Sequence, residues 1–158
     1  MWLSVSATTR APRPGEVDGV DYVFLSAEDF DNLREAGGFL EWAEFAGNCY
    51  GTPAAPVTDR ISRGVDVILE IDLQGVRQVR ANLPAARTVF ISPPSIDALG
   101  SRLASRGTED PAAIERRLAA AQDELAAAGE FDCVIVNDDV EVAANQLLAW
   151  VHNPANEH

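Results

Sequence analysis

At 158 residues, 47% apolar and 23% charged, the chain has the makeup of one soluble globular domain. A chain of this size buries roughly 70% of its unfolded surface and needs neither disulfide nor metal to fold. The formal charge of −13, with 12 arginines and no lysine, sets aside duplex nucleic acid and anionic membrane as partners. No apolar run approaches the roughly 20 residues of a membrane helix and the N-terminus has no signal core, so a cytoplasmic location is expected. Cys49 and Cys133, in no metal-ligand spacing, read as free thiols, and His152 and His158 as solvated side chains.

Taken in order, Leu3–Thr8 alternates and predicts a strand, Arg10–Asp21 a loop rich in proline and glycine, and Tyr22–Leu25 a short strand. Ser26 to Asp29 resembles a capping box and opens a helix that ends at Gly37-Gly38. Phe39–Ala46 predicts a strand, Gly47–Thr52 a turn, and Pro53 the first residue of a helix ending at Gly64. The apolar run Val65–Asp72 predicts a strand buried on both faces, as in a parallel sheet. A helix over Gln74–Asn82 and a buried strand over Thr88–Ile91 follow. Ser95 caps a helix through Leu103, Arg106–Pro111 is loop, and an alanine-rich helix runs to Gly129. Cys133–Val136 is a further buried strand, and Asp139 caps a last helix to about Val151. Buried strands alternating with helices predict an α/β domain with a mostly parallel sheet, whose ligands bind beyond the carboxyl ends of the strands.

Three clusters of residues carry chemistry. Arg10 and Arg13 lie on a loop stiffened by Pro12 and Pro14, with Tyr22 beyond it. Guanidinium forks fit phosphate oxygens, so the pair suits one anion, although on charge alone it reads more readily as a solvated loop. Arg102, Arg106, Arg116 and Arg117 flank Gly107, either as cations for phosphate or as ordinary helix ion pairs with Glu109, Glu115 or Asp123. Asn137-Asp138 follows a strand and reads as a helix cap or as a ligand loop. By themselves Glu41 reads as a solvated strand residue, Asp72 as either structural or functional, and Ser6 and Thr52 as structural.

The stretch from Thr8 to Leu25, with Arg10, Arg13, Glu16, Gly19 and Tyr22, resembles the guanylate kinase signature. The likeness continues through Gly38–Thr52, Glu70-Ile-Asp72-Leu-Gln74-Gly75, Pro93-Pro94-Ser95, Arg106-Gly107-Thr108 and Val136–Asp139, in family order over practically the whole chain. The resemblance implies a P-loop-kinase-like α/β domain over residues 1–158, with a GMP-binding subdomain at 10–54 and a lid at 102–117. It implies phosphoryl transfer from ATP to GMP, with Mg²⁺ accompanying ATP. Arg10, Arg13, Tyr22 and Tyr50 would hold the GMP phosphate, and Ser6, Glu41, Thr52 and Asp72 would read guanine. Arg102, Arg106 and Arg117 would be the catalytic cations, and Asn137 would lie on the adenine side. The base chemistry agrees: guanine offers N1–H and N2–H₂ donors that suit carboxylates, and an O6 acceptor that suits hydroxyls.

The family's Gly-x-x-Gly-x-Gly-Lys-Ser/Thr loop and its strand are not found in these residues, and no lysine is present to replace the P-loop's. The expected explanation is a late start or truncation that impairs phosphoryl transfer. The alternatives are a non-catalytic guanylate-kinase-like binding module and a split enzyme completed in trans.

Overall fold

A computed structural model describes residues 1–105 and 111–153, which fall into two compact units divided between Ala86 and Arg87. In the first unit, β1 (Trp2–Leu3) pairs in parallel with β6 (Val67–Ile68). Beside that pair, β2 (Ala7–Thr8), β3 (Val23–Phe24), β4 (Phe39–Phe45) and β5 (Asn48–Pro53) form a four-stranded sheet in the order β3-β2-β5-β4. Its helices are α1 (Ala27–Glu35), α2 (Ala54–Ser62) and α3 (Leu73–Asn82). In the second unit, β7 (Val89–Ser92) pairs in parallel with β8 (Cys133–Val136), among α4 (Ile96–Ser105), α5 (Pro111–Ala126) and α6 (Val140–Val151). The fold is thus mixed α/β, with parallel strands and flanking helices.

Four sequence expectations are corrected. The segment Leu3–Thr8 is not one strand: Trp2–Leu3 joins the parallel pair, and Ala7–Thr8 joins the four-stranded sheet. The chain changes sheets between them, which alternation alone cannot reveal. Gly47–Thr52 is not a turn but most of β5. The reversal needs only Ala46 and Gly47, both left-handed at φ 51° and 76°, so Phe45 pairs directly with Asn48. Such two-residue turns match the twist of a hairpin, and the Gly-Asn composition conceals the returning strand. Val65–Asp72 is ladder-paired only at Val67–Ile68, because β1 offers only two residues as partner. The parallel strands are also less buried than expected: Ile91, Val134 and Val136 are 46–51% exposed.

Two apolar clusters hold the first unit. Phe30, on α1, stacks on Phe39 at 4.5 Å between ring centres, over Ala7. Ser26 starts α1 by accepting from the Asp29 amide at 3.0 Å. The second cluster joins Leu40, Val57 and Val79, with Trp2 at its margin under the Arg60 guanidinium. Consecutive residues Phe39 and Leu40 therefore enter different clusters. The β4–β5 register slips by one residue between Phe39 and Glu41, an irregularity of the kind that re-aims side chains.

Candidate functional site

Beneath the four-stranded sheet of the first unit lies a cleft of about 240 Å³, lined in part by Ser6, Tyr22, Glu41, Tyr50 and Asp72. Each comes from a different element or its margin. Ser6 precedes β2 and Tyr22 precedes β3. Glu41 lies on β4, Tyr50 on β5, and Asp72 caps α3. Five of the eight residues assigned by resemblance to one ligand thus converge, although their numbers span 67 positions from Ser6 to Asp72.

Glu41 is the most constrained. It is only 7% exposed, and its Oε1 accepts from the Thr52 hydroxyl at 2.6 Å. Burial pushes its carboxyl above the ordinary 4.5. The Thr52 bond opposes that rise, and the nearby Asp72 charge adds to it. Thr52, wholly buried, therefore spends its proton on Glu41 and acts through it. Asp72 does double duty: its Oδ1 caps α3 by accepting from the Gly75 amide at 2.7 Å, and the residue still lines the cleft.

The arginine loop is built around an acid that the sequence reading gave no role. Glu16 accepts from both Arg10 terminal nitrogens, at 2.9 and 3.0 Å, and from the Arg13 amide at 2.6 Å. Those bonds hold the Glu16 carboxyl below its ordinary range, Arg10 contributing most. Arg10 lies over the Tyr22 ring at 5.4 Å, and Tyr22 meets Tyr50 edge-on at 6.3 Å. Arg10 thus stands beside the tyrosines of the cleft, while Arg13 is exposed on the loop. Thr8 and Thr9 pin the root of the loop: their hydroxyls bond the carbonyl and the amide of Cys49. A carboxylate six residues after Arg10, across two prolines, was the available signal for Glu16. Glu70 also lines the cleft.

In the second unit, Arg102 on α4 donates to the carbonyls of Asn137 at 3.0 Å and Asp138 at 3.3 Å. The Asn137 amide donates to Ser92 at 2.7 Å, and its side-chain Oδ1 is buried with no hydrogen-bond partner among the described residues. Arg117 is exposed on α5. Arg106, with Gly107 and Thr108, lies outside the described residues, as does the Arg116 side chain.

Among the described residues no group of three or more His, Cys, Asp or Glu could hold a metal ion, and no helix is long and apolar enough to cross a membrane.

A family model described as guanylate kinase matches residues 1–153. The chain is 59% identical over 147 residues to a guanylate kinase of Synechococcus sp. (strain CC9311), covering 93% of this chain and 77% of that one. It is 61% identical over 149 residues to a guanylate kinase of Streptomyces coelicolor, covering 94% and 76%. The crystal structure of guanylate kinase from Anaplasma phagocytophilum superposes with a TM-score of 0.81 at 35% identity, covering 98% of this chain and 75% of that one.

Proposed function

The chain belongs to the guanylate kinase family, and from that premise we propose that it binds GMP in the cleft of the first unit and passes it the γ-phosphoryl group of ATP. The observation that carries the reading is the buried Glu41 carboxylate, oriented by Thr52, in one cleft with Asp72, Ser6, Tyr22 and Tyr50.

Glu41 and Asp72 present acceptors to the N1–H and N2–H₂ edge of guanine, and Ser6 supplies a hydroxyl suited to O6. Adenine would leave the buried carboxylate unpaired, and sites built on such hydrogen bonds reject the wrong analogue by ~10⁴ or more. Tyr22, Tyr50, Arg10 and Arg13 take the phosphate. Glu16 keeps the Arg10 guanidinium in place before the ligand arrives, which reduces the ordering cost of binding.

The GMP phosphate oxygen is the nucleophile and ADP the leaving group, with no covalent protein intermediate. The protein contributes positioning and charge. On the donor side, the unpartnered Asn137 Oδ1 is an acceptor suited to the amino group of adenine. Arg102, Arg106 and Arg117 are the cations for the transferring group, and Arg102 is held by the loop carbonyls. Mg²⁺, when bound, neutralises phosphate charge. It commonly keeps several waters and binds substrate phosphates rather than a protein cage. In this reading the ion accompanies the ATP phosphates.

A cytoplasmic place in purine nucleotide metabolism completes the reading. GMP-dependent release of ADP from Mg-ATP, requiring higher GMP in Glu41→Gln, is the expected result with host kinases excluded. Binding of GMP without any GMP-dependent ADP release would contradict the transfer reading and leave GMP binding alone.

A further inference from the structure

Helix α3 approaches β4 at three points, all around Glu41. At the first, Gly75 is buried in the opening turn, and a Cβ built there would lie 2.9 Å from Glu41 Oε2, 3.3 Å from Glu41 Cδ and 3.1 Å from Ile71 Cβ. The place of a side chain is taken by the carboxylate. Gly75 is absent from the positive-φ glycines, so its conformation is one that alanine adopts freely.

The second and third points are side-chain amides one helical turn apart. β4 is an edge strand, with β5 on its other side. Gln78 closes the free edge like a neighbouring strand: its Oε1 accepts from the Trp42 amide at 3.1 Å and its Nε2 donates to the Trp42 carbonyl at 2.9 Å. Asn82 Nδ2 donates to the Leu40 carbonyl at 2.8 Å. The residues before and after Glu41 are thus both held by α3, while Thr52 holds Oε1 from the opposite side.

We propose that α3 sets the position of the base-reading carboxylate: Gly75 by leaving room for Glu41 Oε2, Gln78 and Asn82 by fixing the backbone on either side. These are positioning residues for nucleobase selectivity, and the inference rests on the reading that Glu41 recognises guanine. The bulk introduced by Gly75→Ala falls on the far end of the Glu41 side chain, at Oε2, and needs a shift of a few tenths of an ångström at Ile71. It therefore displaces the carboxylate without breaking the core.

The test compares GMP and AMP affinities, by calorimetric titration well below the melting temperature, for wild type, Gly75→Ala and the near-isosteric Gln78→Met. Gly75→Ala is expected to weaken GMP binding roughly tenfold or more, the scale of one hydrogen bond to a charged group. AMP binding should change less, so the ratio narrows. Its melting temperature should hold or rise, since alanine favours a helix over glycine, and a merely structural role for Gly75 would give the opposite pairing. Gln78→Met should narrow the ratio in the same direction. A selective wild type with both variants equally selective overturns the inference alone. A wild type with no preference for GMP overturns the underlying reading and the inference with it.

Discussion

A carboxylate taken out of water costs free energy unless its charge is used, and Glu41 is the residue of the first unit most subject to that cost. Its folded pKa is raised, chiefly by burial. The contribution of Glu41 to stability is therefore present below its ordinary 4.5 and is lost as pH rises through the folded value. Glu41→Gln should accordingly leave the ligand-free chain as stable at neutral pH or more so, while weakening GMP by about 1–3 kcal/mol. Calorimetric melting and GMP titration of the same preparation check both signs. Binding through the ionised form should also fail on acidification at a pH above that of an ordinary carboxylate. Asp72→Asn removes a neighbouring charge, so it should move that failure to lower pH, and an unmoved profile would break the coupling between the two acids. Asp72→Ala should narrow the gap between GMP and AMP as well as weaken GMP.

At the scale of elements, local chemistry decides how sharply each segment is defined. The Ala46-Gly47 turn places a Cβ-bearing residue at φ 51°. Ala46→Gly or Ala46→Asn should stabilise the β4–β5 hairpin by roughly 0.5–1 kcal/mol. That is about 1–4 °C in a chain of this length. A lower melting temperature for Ala46→Gly would place the strain elsewhere. The helices were legible in the sequence because their caps are local: Ser26, Ser95 and Asp139 each bond an amide three residues on. The strands were less legible because pairing depends on distant partners. β5 was concealed by its Gly-Asn start, and Leu3–Thr8 read as one strand although its two ends join different sheets. The tyrosines and acids of the cleft and the two arginines of the loop were visible as residues, and the resemblance named their roles. The tie of Glu16 to Arg10 had a local signal in their six-residue spacing, whereas the seating of Glu41 on Gly75 joins distant segments, which one-dimensional spacing does not encode.

For the molecule as a whole, the acceptor and donor residues divide by sequence. All eight residues assigned to GMP fall within the first compact unit, and Arg102, Arg117 and Asn137 fall within the second. Substituting the donor-side cations should therefore leave GMP affinity within about twofold while lowering phosphoryl transfer, because GMP binding draws on none of them. Arg102→Ala and Arg117→Ala, compared by GMP titration and by ADP release, check that division. A large loss of GMP affinity in either would show that the acceptor site depends on the second unit. The central claim is that a strongly acidic chain recognises an anionic nucleotide by its base edge as much as by its phosphate. The most direct measurement is titration of the wild-type chain with GMP and with AMP, which carry the same phosphate and differ in the base. Saturable GMP binding is expected, with AMP binding weaker by ~10⁴, as when a buried carboxylate is left unpaired. Equal affinities for the two nucleotides would contradict the central claim.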